Sequence, residues 1–311
     1  MKILYCDPVI HTDTSREYKY YDEVFDCIIE DSTIEVFLHR GVILDATQIN
    51  ENFDLVVFGL GWFNHKFFAK IPNLETPSIC ILFKPQNNLS EKLQFCKLNN
   101  VSRILTPIPE FKKYEKETGI RTDLFPYGHC DKTFMLRPEV EKKIDIGFSG
   151  ALHENKHYPD GAFPVKNIRT KIGQQLSEMK HISTFWKSTD YTKSRIPSYE
   201  EYAKKINTAK IWIATQAAFG DITPRYYEVL SSGTLLMCQK IPEQYKHILV
   251  HGKNCIEFEN DLSDFKEKVD LYVSNTKLRE EIVSSALKMS ESHTWKQRAD
   301  QLIKIAREVT S

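Results

Sequence analysis

Residues 223–238 read TPRYYEVLSSGTLLMC, and this stretch predicts a helix that leads directly into a buried strand. Thr223 is the expected N-cap, and Pro224 suits the first helical position because the N–H that proline lacks would have no partner there. Gly233 is expected at the C′ position, where glycine readily takes the left-handed conformation. The apolar run 235–238 then predicts the strand. A helix that alternates with a buried strand is the repeating unit of an α/β fold.

Short apolar runs separated by helical segments continue on both sides of this stretch, as in parallel sheets covered by helices. Before residue 128, strands are predicted at 2–6, 34–38, 55–58, 78–83, 103–106 and 124–127. After the polar segment 129–143, strands are predicted at 144–148, 182–186, 211–215, 235–238 and 255–258, and helices at 167–180, 198–208, 224–232, 242–248, 261–273, 275–290 and 293–309. We therefore expect two domains, 1–130 and 131–311, that bind ligands at the carboxyl ends of their strands.

The composition narrows the class of protein. The 311 residues are enough for two domains, each with its own core. Lys plus Arg and Asp plus Glu number 42 each, so there is no global basic field and nucleic-acid binding is not expected. The seven cysteines form no C-x-x-C pair and follow no secretory signal, which predicts reduced thiols in a cytoplasmic protein, with Cys6, Cys80 and Cys238 in the core. No apolar run approaches the roughly 20 residues that span a bilayer, so at most peripheral membrane contact is expected.

The start of the predicted helix at 224–232 has the features of an anion site. Its first amides and the positive end of its dipole follow the Phe219-Gly220-Asp221 turn. Arg225 and Glu228 are three residues apart and share a helix face. A nucleotide diphosphate fits this arrangement, because the guanidinium and amides would meet the phosphates while the carboxylate accepts hydrogen bonds from the ribose hydroxyls. The same spacing also fits an ordinary amphipathic helix with a surface Arg–Glu pair, and spacing leaves both interpretations open.

Several segments, in this order, resemble glycosyltransferases of the GT-B fold, and most closely the "glycosyl transferases group 1" branch that includes spore-maturation CgeB-like proteins. They are FPYGHCDKTF (125–134), IDIGFSG (144–150), YAKKINTAKI (202–211), GDITPR (220–225), EVLSSGTLL (228–236) and SHTWKQR (292–298). The resemblance implies two Rossmann-like domains that face a central cleft. It implies that the C-terminal domain holds a nucleotide-diphosphate sugar, that the N-terminal domain holds the acceptor, and that the last helix packs back on the N-terminal domain.

The resemblance also implies roles for single residues. Glu228 takes the place of the family's ribose-binding glutamate. Many relatives carry an acidic residue eight positions before that glutamate, where this chain has Gly220, with Asp221 one residue later. The resemblance therefore assigns no residue of this loop to the sugar hydroxyls.

The upstream turn adds further donor contacts. Gly150 would let the backbone come close to phosphates, although it would serve equally as a plain turn glycine. Lys156 and Arg169 would neutralise the leaving diphosphate in place of a metal, or lie on a solvated surface. The predicted donor-binding set is Gly150, Lys156, Arg169, Asp221, Thr223, Arg225 and Glu228, with no cofactor.

Residues 153–157 read HENKH, which matches the H-E-x-x-H pattern of zinc proteases. That pattern binds zinc from one face of a continuous helix. Here it runs into YPDG at 158–161, which breaks any helix after barely two turns. We therefore predict no metal site and a loop near the donor phosphates.

An inverting transferase needs a side chain that accepts the proton of the acceptor hydroxyl, whereas a retaining transferase need not have one. Asp7 and His11 follow the first predicted strand, with Asp13 just beyond them. His65 follows FGLGW at 58–62, a glycine-rich strand end. The candidates for the catalytic base are therefore Asp7, His11 and His65, and each residue type is also common in turns and caps.

The hypothesis from the sequence is a cytoplasmic, metal-independent glycosyltransferase. It would move a sugar from a nucleotide-diphosphate sugar to a hydroxyl of a carbohydrate, glycolipid or protein, as in polysaccharide biosynthesis. Two alternatives stay open. One is a protein of the same fold that binds a nucleotide or glycan without catalysis, and the other is a nucleotide-sugar epimerase, which would release a changed sugar nucleotide without any acceptor.

Overall fold

The structure, a computed structural model, describes residues 1–7, 22–30, 33–40, 43, 45–60, 70–84, 88–152, 165–189, 195–217 and 220–311. These residues group into two compact units. Unit 1 combines Met1–Tyr127 with Trp295–Ser311, and unit 2 is Gly128–Thr294. Which unit holds the donor and which the acceptor stays a prediction, as does the domain boundary at residues 130 and 131.

The described strands and helices follow one another in the alternating order expected of α/β proteins. The strands are β1 (Lys2–Asp7), β2 (Glu35–Arg40), β3 (Leu55–Leu60), β4 (Ser78–Leu82), β5 (Arg103–Thr106), β6 (Thr122–Leu124), β7 (Ile144–Gly150), β8 (Thr184–Ser188), β9 (Ala209–Ala214), β10 (Leu235–Gln239) and β11 (Ile256–Phe258). The helices are α1 (Asp22–Ile29), α2 (Thr47–Asn52), α3 (Leu89–Leu98), α4 (Phe111–Thr118), α5 (Val165–Glu178), α6 (Tyr199–Asn207), α7 (Pro224–Ser231), α8 (Phe265–Ser274), α9 (Thr276–Ser290) and α10 (Trp295–Thr310).

Unit 1 contains a parallel sheet in the order β2-β1-β3-β4-β5-β6. Every residue of β3 and β4 is buried, so these strands are apolar without alternation, as in sheets that are covered on both faces. Cys80 of β4 and Cys6 of β1 lie in this core, as predicted. The switch in strand order falls between β1 and β3, because β2 lies on the other side of β1.

Helix α10 completes unit 1 although it is the last element of the chain. It packs against α1, and Trp295 and Leu302 are buried on its inner face. The ring of Trp295 meets Tyr127 edge to face at 6.4 Å between centroids. Arg103 of β5 forms an ion pair with Glu308 at 3.5 Å. Apolar packing and the partly buried Arg103–Glu308 ion pair thus join the last helix to a unit whose strands all come before residue 125.

Unit 2 contains a second parallel sheet, in the order β11-β10-β9-β7-β8. From β7 the chain goes to β8 on one side and then returns to β9 on the other side, where Ile146 pairs with Ile211. The switch point of this sheet therefore lies between β7 and β9. Open α/β sheets bind their ligands outside the carboxyl ends of the strands at this point.

Three predicted elements differ in the structure. The strand predicted at 124–127 is β6 and ends at Leu124, since Pro126 has no N–H for further pairing. The helix predicted at 242–248 is one 3₁₀ turn, Glu243–Tyr245, because the following backbone bonds the side chain of Asn254 instead. The helix predicted to begin at 261 starts at Phe265, because Leu262 has a φ of 63°, which an α-helix excludes.

Candidate functional site

Helix α7 begins at Pro224, and the extended backbone of Thr223 places that residue at the N-cap, as predicted. The side-chain hydrogen bond expected of an N-cap threonine is absent at Thr223. The Thr223 Oγ1 is a buried atom without a partner among the described residues. The amide of Tyr226 instead donates to the Thr223 carbonyl at 3.1 Å, as in a tighter first turn. This amide is therefore already used, and fewer first-turn amides face an anion than the sequence predicts.

The far end of the helix follows the prediction. Gly233 has a φ of 63°, the left-handed conformation expected at C′. A Cβ at this position would also meet Leu136 Cδ1 at 2.3 Å. The segment that precedes unit 2's first strand thus packs directly on the end of α7, and the left-handed backbone at Gly233 favours glycine there.

Arg225 and Gly150, which are 75 positions apart in the sequence, lie side by side in the structure. Gly150 ends β7, and a Cβ built on it would lie 3.3 Å from Nη1 of Arg225 and 2.9 Å from Cζ of Phe148. The glycine is needed for this close approach of backbone to guanidinium, since a methyl group would press on both side chains. The structure therefore joins two of the predicted donor-binding residues at the carboxyl end of a switch-point strand.

Glu228 lies one turn further along α7 and is 9% exposed. It and Arg225 both act on Tyr202 of α6. The pKa of the Tyr202 hydroxyl is raised to about 12, chiefly by burial; the Arg225 guanidinium lowers it, and the Glu228 carboxylate raises it. Arg225 and Glu228 thus both act on one neutral hydroxyl, in agreement with their spacing on a common face of α7.

Arg169, on α5, is buried at the switch point. Its Nε donates to Thr215 Oγ1 at 2.6 Å, and its Nη1 donates to the carbonyl of Ala151 at 2.5 Å. Ala151 follows β7 and Thr215 follows β9, so one guanidinium ties together the chain segments that leave the two switch-point strands. Its predicted contact with a diphosphate stays a prediction, while its observed contacts fix the edge on which the site is built.

Asp221 is buried in the turn that leads into α7. Its carbonyl accepts a hydrogen bond from Ala217 N at 3.1 Å, and Gly220 before it has a φ of 74°. The turn therefore requires glycine at the position where the resemblance leads one to expect an acidic residue. Asp221 lies two residues before the helix N-cap, and its predicted contact with the donor stays a prediction.

Several predicted residues fall beyond the part of the chain that the structure describes: His11, His65 and Lys156, and the H-E-x-x-H segment 153–157. The backbone of Asp7 ends β1 at the switch point of unit 1. Within the described ranges, no three His, Cys, Asp or Glu side chains are grouped so that they could bind a metal ion. Likewise, none of the helices in those ranges is both long enough and apolar enough to cross a membrane.

The sequence did not predict that Tyr202 contacts Arg225. It also did not predict that Arg169 donates to Thr215 and to the carbonyl of Gln216. Tyr202 stands in a segment that carries the family resemblance, but its neighbours Ala203 and Ile206 are ordinary buried helix residues. A linear pattern does not say which helix lies beside α7. The pairing of Arg169 with the loop after β9 likewise depends on strand order, which local sequence does not encode.

Comparison with protein families gives a match between residues 164–304 and the family described as "Glycosyl transferase-like". The matched segment runs from the start of α5 into α10 and includes the residues Arg169, Tyr202, Asp221, Arg225 and Glu228. The match confirms the prediction of a glycosyltransferase. The narrower CgeB-like branch stays a prediction. No curated protein sequence matches the chain.

Solved structures of low sequence identity share the fold. The sucrose-phosphate synthase of Thermosynechococcus elongatus superimposes with a TM-score of 0.66 at 9% identity, over 99% of each chain. HepE of Anabaena, in complex with UDP-glucose, gives 0.61 at 11% identity over 99% of this chain and 100% of its own. The N-terminal domain of Candida albicans trehalose-6-phosphate phosphatase gives 0.68 at 10% identity over 100% and 97%. The predicted α/β GT-B fold is therefore confirmed.

Proposed function

We propose that this chain transfers a sugar from a nucleotide-diphosphate sugar to an acceptor hydroxyl, with the donor at the carboxyl edge of the unit 2 sheet. The observation that supports this most is that Arg225 lies beside Gly150 at the switch point between β7 and β9, with Glu228 one turn further along α7. This is where open α/β sheets bind nucleotides. A guanidinium beside a strand-end glycine and a nearby buried carboxylate match the two ends of a nucleotide diphosphate, its phosphates and its ribose.

In the proposed donor complex the diphosphate lies against Arg225 and the Gly150 backbone. The guanidinium offers paired N–H donors to phosphate oxygens. Glu228 accepts hydrogen bonds from the two ribose hydroxyls. A buried carboxylate is a strong acceptor for such hydroxyls because few water molecules compete with them.

During transfer, the bond between the sugar C1 and the diphosphate oxygen breaks, and a bond from the acceptor oxygen to C1 forms. The diphosphate leaves with the electron pair, and Arg225 stabilises the negative charge that develops on it. The proton of the acceptor hydroxyl passes to a base if the reaction inverts C1, and to an oxygen of the leaving diphosphate if the reaction retains C1. Asp7, His11 and His65 of unit 1 are the proposed candidates, and unit 1 is the proposed acceptor domain.

We further propose that no metal ion takes part, because Arg225 supplies the positive charge at the phosphates. The activity would then survive EDTA. UDP-glucose is the first donor to test, because the structure of the similarly folded HepE is a complex with UDP-glucose. A cytoplasmic location, a carbohydrate or glycolipid acceptor and the CgeB-like branch belong to the same proposal.

The test is a thermal-shift and calorimetric screen against UDP, GDP, CDP, dTDP and their sugars. A ligand that binds only the folded state raises Tm by mass action. Glu228→Gln keeps the shape of the buried side chain and removes its charge, and Glu267→Gln makes the same change at an exposed position of α8. One nucleotide should stabilise the wild type and Glu267→Gln, and its effect should be lost in Glu228→Gln. No shift with any nucleotide would overturn the donor site.

A protein that binds the nucleotide sugar without transferring the sugar is the alternative that the sequence analysis leaves open. Once a bound donor is known, the products formed from it distinguish these functions. A transferase releases free nucleoside diphosphate, by transfer to an acceptor or by slow hydrolysis. A binding protein leaves the donor intact, and an epimerase converts it to a different sugar nucleotide.

A further inference from the structure

The side chain of Tyr202 links the linker segment before β7, the unit 2 sheet and the helix that carries Arg225. Its ring meets Phe134 edge to face at 5.8 Å and Trp212 at 5.8 Å between centroids. Both neighbours are buried. Aromatic contacts of this geometry hold a ring in one orientation. The hydroxyl at the end of the ring therefore has a fixed position relative to the sheet.

That hydroxyl accepts a hydrogen bond from Nε of Arg225 at 2.9 Å. Nε is the inner nitrogen of the guanidinium, so a bond there sets the plane of the group and leaves the outer edge pointing away from the tyrosine. On this outer edge Nη1 lies 3.3 Å from the Cβ position of Gly150. The bond therefore directs the guanidinium edge toward the end of β7.

Without the hydrogen bond to Tyr202, the Arg225 guanidinium would not be held in this orientation. The long side chain of a free arginine samples many rotamers. A guanidinium that is already oriented loses less entropy when it binds a phosphate, and this raises its contribution to binding and to stabilisation of the leaving group. The hydroxyl stays protonated at physiological pH, since burial raises the pKa of Tyr202 to about 12. Deprotonation of the tyrosine therefore does not disturb the contact near neutral pH.

We propose that Tyr202 is a positioning residue that orients the Arg225 guanidinium toward the phosphates of the donor. The inference rests on the proposed function, because it takes the ligand of Arg225 to be a nucleoside diphosphate. It adds a residue of α6 to a site otherwise built from β7 and α7. In the proposed complex Tyr202 acts through Arg225 and does not itself contact the substrate.

The experiment compares the calorimetric Kd of UDP, GDP, CDP and dTDP for the wild type, Tyr202→Phe, Arg225→Gln and the double variant. Tyr202→Phe keeps the ring between Phe134 and Trp212 and removes only the hydroxyl. Tyr199→Phe is the matched control, because Tyr199 lies on the same helix, contacts Phe134 at 6.2 Å and is 43% exposed. The Tm of each unliganded protein shows whether folding is affected.

For the nucleotide that binds the wild type, Tyr202→Phe should raise Kd by about tenfold to a hundredfold, the effect of one hydrogen bond to a charged group. Tyr199→Phe should leave Kd within about twofold of the wild type. In the Arg225→Gln background, Tyr202→Phe should add no further loss, since its effect acts through the arginine. A merely structural role of Tyr202 would instead weaken binding equally in both backgrounds.

The outcomes separate the two proposals. If the wild type binds a nucleotide and Tyr202→Phe binds it equally well, or if the losses from Tyr202→Phe and Arg225→Gln simply add, the positioning role is refuted while the donor site stands. If the wild type binds none of the four nucleotides, the proposed function is refuted and the positioning role with it.

Discussion

Lys92 of α3 is a fully buried lysine, and its charge should make the stability of unit 1 depend on pH. Its Nζ donates to the carbonyls of Phe83 and Lys84 at 3.1 and 3.0 Å, just after β4. Burial lowers the pKa of Lys92 from 10.5 to about 7, against smaller opposing effects of Cys80 and Glu91. A lysine between a strand and its covering helix thus becomes neutral near physiological pH.

The direction of the effect follows from proton binding. Between about pH 7 and 10.5 the unfolded chain keeps the proton on Lys92, while the folded chain releases it. The free energy of unfolding therefore rises with pH across this window. The destabilisation is complete below about pH 7 and disappears toward pH 10.5. From pH 6 to pH 9 the contribution of Lys92 should increase by about 3 kcal/mol, because each pKa unit corresponds to 1.36 kcal/mol.

The assay is urea unfolding of the wild type and Lys92→Met at pH 6 and pH 9. Pulsed hydrogen–deuterium exchange on the peptide that contains β4 then reports the stability of unit 1 itself. The difference between wild type and variant should shift by about 3 kcal/mol in favour of the wild type at pH 9. Lys97→Met removes an exposed lysine from the same helix and should show no such shift. A difference for Lys92→Met that stays constant within about 0.5 kcal/mol would refute the reasoning, because Lys92 would then be charged in the folded state.

The remaining predictions concern close approaches and a buried amide in unit 2. Gly147→Ala should lower the free energy of unfolding by about 1 to 3 kcal/mol in urea, because its Cβ would lie 2.2 Å from the ring of the fully buried Trp212. Gly150→Ala should raise the calorimetric Kd of the nucleotide while the Tm of the unliganded protein changes little, because its Cβ would press on Arg225 at 3.3 Å. A Kd equal to that of the wild type would contradict the proposed site. Asn207→Ala should cost about 2 to 3 kcal/mol of unfolding free energy, because the buried side chain bonds Arg137 N and the carbonyls of Met135 and Ala203, and a loss below about 0.5 kcal/mol would show that water replaces it.

Local sequence was sufficient where the determining interactions are local. The start of α7 at Pro224 and the left-handed Gly233 follow from the properties of those residues, and the buried strands β4 and β10 follow from runs of apolar side chains. Local rules failed where a more distant partner decided the outcome. The amide that Thr223 was expected to cap bonds the Thr223 carbonyl, and the helix expected at 242–248 gives way to bonds with Asn254.

The sequence by itself determined the α/β class, the alternation of its elements and the residue types that a nucleotide-sugar site requires. Only the tertiary structure decided which of these residues meet. The order of the unit 2 strands brings Gly150 to Arg225, places Tyr202 behind the guanidinium and gives Arg169 the carbonyl of Ala151 as an acceptor. The physical reason is that helix and strand formation depend on neighbours within a few residues, whereas a site depends on contacts between segments that only the packing of the whole sheet brings together.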